Sequence, residues 1–135
     1  MRQELPSRHR VALVVDDDEF VQRFVQQVLE NDGFEVYLAE SGKTALEMYD
    51  NHPGLSLIVT DSLMPDTDGI DFILQIRNRP AADAMRPKII AMSGGGSINA
   101  DVYLEAVTGL GADETLKKPF SIMDLRQALS RLGFD

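Results

Sequence analysis

Residues 11–20 read VALVVDDDEF, five apolar residues in a row followed by three aspartates and a glutamate. An unbroken apolar run of this kind fits a strand buried on both faces, as in a parallel sheet covered by helices. The acidic knot behind it has no packing role, because neighbouring carboxylates repel one another. Either it opens a solvated helix or it holds something positive.

Outward from this stretch, strand-like runs alternate with helical patterns. Phe20, Val21, Phe24, Val25, Val28 and Leu29 recur at helical spacing, and Asn31-Asp32-Gly33 supplies the stop. EVYLA (35–39) predicts a second strand, and Ser41 caps a second helix with Ala45, Leu46 and Tyr49 inward. SLIVT (56–60) predicts the third strand, LMPDTDG (63–69) a loop, and Ile70, Ile73, Leu74 and Ile76 a third helix broken by RPAADAMRP (79–87). KIIAM (88–92) predicts the fourth strand, SGGGS (93–97) a flexible loop, and Val102, Tyr103, Ala106 and Val107 the inner face of a fourth helix. A weaker fifth strand is expected at 114–117. SIMDL (121–125), with capping-box spacing at Ser121 and Asp124, opens a last helix ending near Leu132. Alternation of this kind predicts an α/β fold, a doubly wound five-stranded parallel sheet with right-handed connections. Residues 1–9 are expected to form an N-terminal arm and 10–132 one domain, with no room for a second.

Bulk properties narrow the function. A chain of 135 residues fits one domain with a real core. The net charge of −9 argues against a nucleic-acid surface, which needs clustered Lys and Arg. The absence of cysteine removes disulfides, thiolate metal sites and a Cys nucleophile. The two histidines, His9 and His52, read as loop residues, which argues against a His metal site or a Ser-His-Asp triad. MRQELPSRHR has no apolar segment behind it and is not a signal peptide. The longest apolar runs, of about five residues, fall far short of the roughly 20 a membrane span needs. A cytoplasmic location with no membrane partner is expected.

In open α/β sheets, ligands bind at the carboxyl ends of the strands. Behind strand one stand Asp16, Asp17 and Asp18, and behind strand two only Glu40. Asp61 follows strand three, Ser93 strand four, and Lys117, Lys118 and Pro119 strand five. Carboxylates crowded together raise each other's pKa unless a cation offsets them. An all-oxygen donor set selects a hard ion such as Mg²⁺. A lysine and a serine aimed at the same point suit a phosphoryl group, and a carboxylate can act as nucleophile to give an aspartyl-phosphate. Singly, each group has a plainer role. Asp18 and Glu19 fit helix-start charges, Asp16 and Asp17 caps, Asp61 a turn, Ser93 a loop start, and Lys117 a solvated strand-edge charge. Those roles do not explain why all the groups gather on one edge. SGKT (41–44) imitates a phosphate-binding loop, but position 37, where that motif needs glycine, is Tyr37.

Four stretches, VVDDDE, TDSLMPDTDG, IIAMSGG and GADETLKKPF, in this order across roughly residues 10–132, closely resemble the receiver domain of two-component response regulators, in its single-domain, chemotaxis-regulator-like form. The resemblance implies a flavodoxin-like sheet of strand order 2-1-3-4-5 with five helices. It makes Asp61 the phosphate acceptor, Asp17 the direct Mg²⁺ ligand and Asp16 an acidic partner acting through a metal-bound water. Asp61 and the Leu63 main-chain carbonyl would complete the metal site. Ser93 and Lys118 would bind the phosphoryl group, and the Lys118–Pro119 bond would be cis. Two positions depart from the family pattern. Thr115 stands where an aromatic residue or His usually reports phosphorylation, and Leu63 where a polar side chain often influences hydrolysis.

The implied function is a phosphorylation switch, not an enzyme beyond its own phosphorylation and dephosphorylation. The expected donor is a sensor histidine kinase or histidine phosphotransfer protein, and a downstream protein is expected on the helix 4–strand 5–helix 5 face. A competing possibility is an aspartate-nucleophile phosphohydrolase of the haloacid dehalogenase type, since Asp16-x-Asp18 imitates its motif. Phe20 stands where that family usually has Thr or Val, and a cap domain does not fit. A degenerate receiver used only for docking is disfavoured, because every phosphorylation residue is present.

Overall fold

A computed structural model describes residues 10–52, 54–79, 86–94 and 100–135. The elements run β1 (Val11–Val15), α1 (Glu19–Asn31), β2 (Glu35–Ala39), α2 (Gly42–Asn51), β3 (Leu57–Asp61), α3 (Gly69–Asn78), β4 (Lys88–Gly94), α4 (Ala100–Leu110), β5 (Glu114–Lys118) and α5 (Ile122–Arg131). All strands pair in parallel, in the order β2-β1-β3-β4-β5. This is the implied topology. The expected arm at 1–9, the centre of the 79–87 break and most of the glycine loop lie outside the described residues.

Every residue of β1 and β3 is buried, which is why both read as continuous apolar runs. Alternation divides their side chains between two cores. Leu13, Ile58 and Ile89 pack with α2, α3 and α4 on one face. Val14, Val59 and Ile90 pack with α1 and α5 on the other. Helix starts are satisfied locally. Asp18 accepts from the Phe20 amide at 2.9 Å, Ser41 from Thr44 at 3.2 Å and Asp68 from Asp71 at 2.8 Å. Ser121 and Asp124 form a reciprocal capping box at 3.0 and 2.9 Å. Such caps contribute about 1 kcal/mol each.

Four expectations need correction. β3 starts one residue later than expected, and β3, β4 and β5 all run farther, so that Asp61, Ser93 and Lys118 lie inside the ladder rather than after it. The register explains this, because Asp61 pairs with Met92, Ser93 with Lys117 and Gly94 with Lys118. Phe20 is 78% exposed, since the first turn of α1 carries it over the Lys118–Pro119–Phe120 segment instead of the sheet. On α4, Val102 and Ala106 face outward; Val107 is buried and Tyr103 partly so. On α3 the fully buried side chains are Phe72 and Ile73, with Ile76 close behind, while Ile70 and Leu74 are only half-buried. Among the described residues no helix is long and apolar enough to cross a membrane.

Leu13→Ala removes a fully buried side chain between the central strands, and should cost about 2–5 kcal/mol. Phe20→Ala should change stability by no more than about 0.5 kcal/mol. Urea unfolding of the two variants checks this contrast; equal losses would place Phe20 in the core.

Candidate functional site

The carboxyl ends of β1, β3 and β5 form an acidic cleft. Asp16, directly behind β1, is wholly buried; its amide donates to the Ala39 carbonyl at 3.1 Å and its Oδ1 accepts from the Asp18 amide at 2.9 Å. Asp61 ends β3. Lys118, the last residue of β5, lays its Nζ 2.9 Å from Asp16 Oδ2 and 3.0 Å from Asp61 Oδ1. Asp17 is exposed, and carboxylate oxygens of Asp16, Asp17 and Asp61 lie within 4.8 Å of one another. Asp18, Val21, Ser62, Leu63, Met64, Pro65 and Gly94 complete the lining. Gly94 is required here, because its φ is +147° and a methyl group on it would lie 2.7 Å from the Lys118 carbonyl oxygen.

The loop after Asp61 is pinned from two sides. Within it, the Met64 amide donates to the Thr67 carbonyl at 3.2 Å and the Gly69 amide to the Ser62 carbonyl at 2.8 Å. Across to the neighbouring helix, Asp66 accepts from the Gly42 and Lys43 amides, both at 2.9 Å, at the start of α2. Those two bonds hold the Asp66 carboxyl below its usual pKa. Gln22 Nε2 likewise spans the Asp16 and Ala39 carbonyls at 2.8 and 3.0 Å, tying α1 to the ends of β1 and β2. Neither Asp66 nor Gln22 was singled out in the sequence. Each looks like a solvated polar residue until its distant partner is placed beside it.

The electrostatics follow from burial and crowding. Burial raises the Asp16 pKa; the Asp18 amide and Lys118 oppose the rise, and the Asp61 charge adds to it. Burial also disfavours the Lys118 ammonium, but its bonds and attraction to Asp16 and Asp61 outweigh this and raise its pKa. The three clustered carboxylates and one ammonium leave two formal negative charges, and Asp18, which also lines the cleft, adds a third. All-oxygen donors with that residual charge fit a hard divalent cation such as Mg²⁺. Leu63 lines the same cleft with its side chain mostly turned to solvent.

The remaining expected residues divide. Ser93 is wholly buried and its hydroxyl has no hydrogen-bond partner among the described residues. The Lys118–Pro119 peptide is cis. Thr115 pairs with Ala91 in the ladder and is half-buried outside the cleft. Its neighbour Leu116 belongs to the α1–α5 core, so Thr115 and Lys117 project toward α4, where Lys117 meets Asp101 at 3.2 Å. Asp18 is occupied as the cap of α1. This ties one oxygen of the second carboxylate that the phosphohydrolase alternative needs to the start of α1.

A doubly wound sheet with three carboxylates and a lysine on one carboxyl edge has the form of a receiver domain. The model of the response regulator receiver domain family matches residues 12–130, and the chain belongs to this family of two-component signalling proteins. It is similar to the KDP operon transcriptional regulatory protein KdpE of Escherichia coli, with 35% identity over 118 residues, 87% of this chain and 48% of KdpE. It is also similar to the transcriptional regulatory protein TrcR of Mycobacterium tuberculosis, with 30% identity over 130 residues, 90% of this chain and 47% of TrcR. The chain thus spans about half the length of these curated relatives. Among solved structures, the chemotaxis response regulator CheY4 of Vibrio cholerae superposes with a TM-score of 0.76 at 27% identity, covering 92% of this chain and 98% of that one. The receiver domain of Ssk1 from Saccharomyces cerevisiae, crystallised with the phosphotransfer protein Ypd1, shares the fold with a TM-score of 0.77 at 22% identity, covering 93% and 90%.

A carboxyl whose folded pKa is raised loses stability as pH climbs from its unfolded value through the folded one. The Asp16 charge therefore costs stability at neutral pH in metal-free buffer. Asp16→Asn removes the buried charge and keeps one oxygen, for the Asp18 amide, while Lys118 retains Asp61; it should be more stable than wild type at pH 7. The gain should fade as pH falls toward 3.8, the ordinary value for Asp. Unfolding midpoints against pH check this; a variant less stable at pH 7 would contradict it.

Proposed function

We propose that this chain is a phosphorylation switch that accepts a phosphoryl group on Asp61 with Mg²⁺ and changes its binding to a partner. The observation that carries this is the position of Lys118, bonded at once to Asp16 and Asp61 in a cleft where carboxylates outnumber the one ammonium. Asp16, Asp17, Asp61 and the Leu63 carbonyl would hold the ion. The ion would supply positive charge to the phosphoryl oxygens. An Asp61 carboxylate oxygen attacks phosphorus while the donor's P–N bond breaks, the electron pair leaving with the donor imidazole. Lys118 then pairs with a phosphoryl oxygen, and Ser93, a buried donor without a partner, offers its hydroxyl to another.

The donor is a sensor histidine kinase or a histidine phosphotransfer protein. The Ssk1–Ypd1 complex offers a precedent for a partner of the second kind. Phe20, Phe24, Pro119 and Phe120 line an apolar groove that reaches Lys118, a surface on which a donor could seat while presenting its phosphohistidine to Asp61. Exposed Val102, Leu110, Ile122 and Met123 lie on the α4–β5–α5 side and suit the downstream protein. The protein is cytoplasmic and catalyses only its own phosphorylation and dephosphorylation.

Incubation with acetyl phosphate and Mg²⁺, followed by peptide mass spectrometry, should label Asp61 and nothing else. Asp61→Asn should abolish labelling, since an amide does not attack phosphorus. Labelling at Asp16 would instead restore the phosphohydrolase alternative.

Asp17→Ala should remove most Mg²⁺ affinity, at least about tenfold if one ligand–ion interaction of roughly 1.4 kcal/mol is lost. Lys118→Ala should keep or strengthen metal binding, because a competing cation leaves. Titrating Mg²⁺ into both variants separates the roles; equal losses would refute the division.

A further inference from the structure

Among the described residues two buried hydroxyls have no hydrogen-bond partner, those of Ser93 and Tyr103. Ser93 has a place in the proposed phosphoryl site. Tyr103 does not. Its ring leaves α4 and packs against the core that Phe72, Ala91 and Val107 share. Its hydroxyl ends against the first residue of α3. A methyl group built on Gly69 would collide with the Tyr103 hydroxyl and would lie 2.8 Å from the Asp61 main-chain oxygen. Glycine at 69 thus keeps open a small space that the phenol shares with the end of the acceptor strand.

The chemistry of the group makes its isolation significant. Burial, then the negative charges of Asp61 and Asp68, push the phenol pKa far up, so the group remains a neutral O–H donor. It lies in the field of two carboxylates and is bonded to neither. A buried donor left unmade costs free energy, and folded proteins leave few of them. Phenylalanine would fill the same space without that cost. Nothing in the packing calls for the oxygen.

We propose that Tyr103 is a positioning residue that couples Asp61 to α4, its hydroxyl unpartnered in the resting state and bonded to an oxygen at the β3–α3 junction once Asp61 is phosphorylated. This rests on the receiver function proposed above. A phosphoryl group adds negative charge at the end of β3, beside the space that the phenol oxygen borders. The ring is held in the core, so movement of the hydroxyl moves the helix. The outer face of α4, with exposed Val102 and Leu110, moves with it. Thr115, a small side chain beside Ala91 on the same face of the sheet, offers no ring to carry such a signal.

The test compares wild type with Tyr103→Phe in the full chain, using beryllofluoride and Mg²⁺ as the phosphoryl probe. Both proteins should be labelled at Asp61 by acetyl phosphate to the same extent. In wild type the probe should change hydrogen exchange across 101–110, and in Tyr103→Phe that change should be lost. The chain has three tyrosines and no tryptophan, so tyrosine emission supplies a second readout. The probe should alter emission in wild type and not in the variant. The free variant should be at least as stable as wild type. A less stable variant, or one whose α4 still responds, would overturn the coupling alone. Absence of labelling in wild type would overturn the receiver function and the coupling together.

Discussion

The Lys118 ammonium, bonded to Asp16 and Asp61, is the interaction on which the site depends. It links the edge strand β5 to the carboxyl ends of β1 and β3 across the top of β4. Its energetics are mixed. The raised Lys118 pKa means that the pair adds stability below pH 10.5, the ordinary lysine value, and loses it as pH rises through the folded value. The raised Asp16 pKa works the other way at neutral pH, because burial penalises that charge more than its partners favour it. One ammonium among three carboxylates holds the cleft together without satisfying it.

The sheet makes this crowding possible. Parallel pairing with helical crossovers brings every strand's carboxyl end to the same edge, so residues far apart in sequence meet there. The polar tethers then fix the loops that leave that edge. Asp66 binds the start of α2, whose unpaired amides favour a carboxylate, and Gln22 holds the ends of β1 and β2. The loop bearing Leu63 is thereby held at both ends, by β3 and by α2. A main-chain oxygen can serve as a ligand only where the backbone is placed this firmly.

Much of this was legible in the sequence because the signals are physical ones. VALVV and LIVT had to be central strands, since an unbroken apolar run needs burial on both faces. Ser41 and Ser121 were readable as caps from their own neighbourhoods, whereas the cap of α1 is Asp18, read only as a helix-start charge, and not Asp16 or Asp17. Element ends were less legible, because the partner strands decide where a ladder stops; Asp61 and Ser93 joined their strands through Met92 and Lys117. The inner face of α4 was misjudged for a different reason. Its sequence, ADVYLEAVTGL, is apolar nearly all round, so periodicity cannot rank Val102 against Val107. Phe20 misled because it extends an apolar stripe beyond the surface that the stripe covers. Asp66 carries no local signal, since its partners come from another element; Tyr103 was legible as an inward-facing ring, but the isolation of its hydroxyl was not.

The cleft and the space beneath it share one property, incomplete satisfaction of opposite kinds. Above, carboxylates outnumber the positive charge available to them. Around and below, Ser93 and Tyr103 are donors with no acceptor among the described residues. Neither defect can cure the other, because Ser93 and Tyr103 make no hydrogen bond to the carboxylates. A divalent cation alone would relieve the first and leave the second. A phosphoryl group alone would supply acceptors but deepen the excess of negative charge. Under the proposed function the two together would relieve both, so each would favour the other's binding. Such incomplete satisfaction suits the proposed switch, which requires that ligands bind one of two arrangements better than the other.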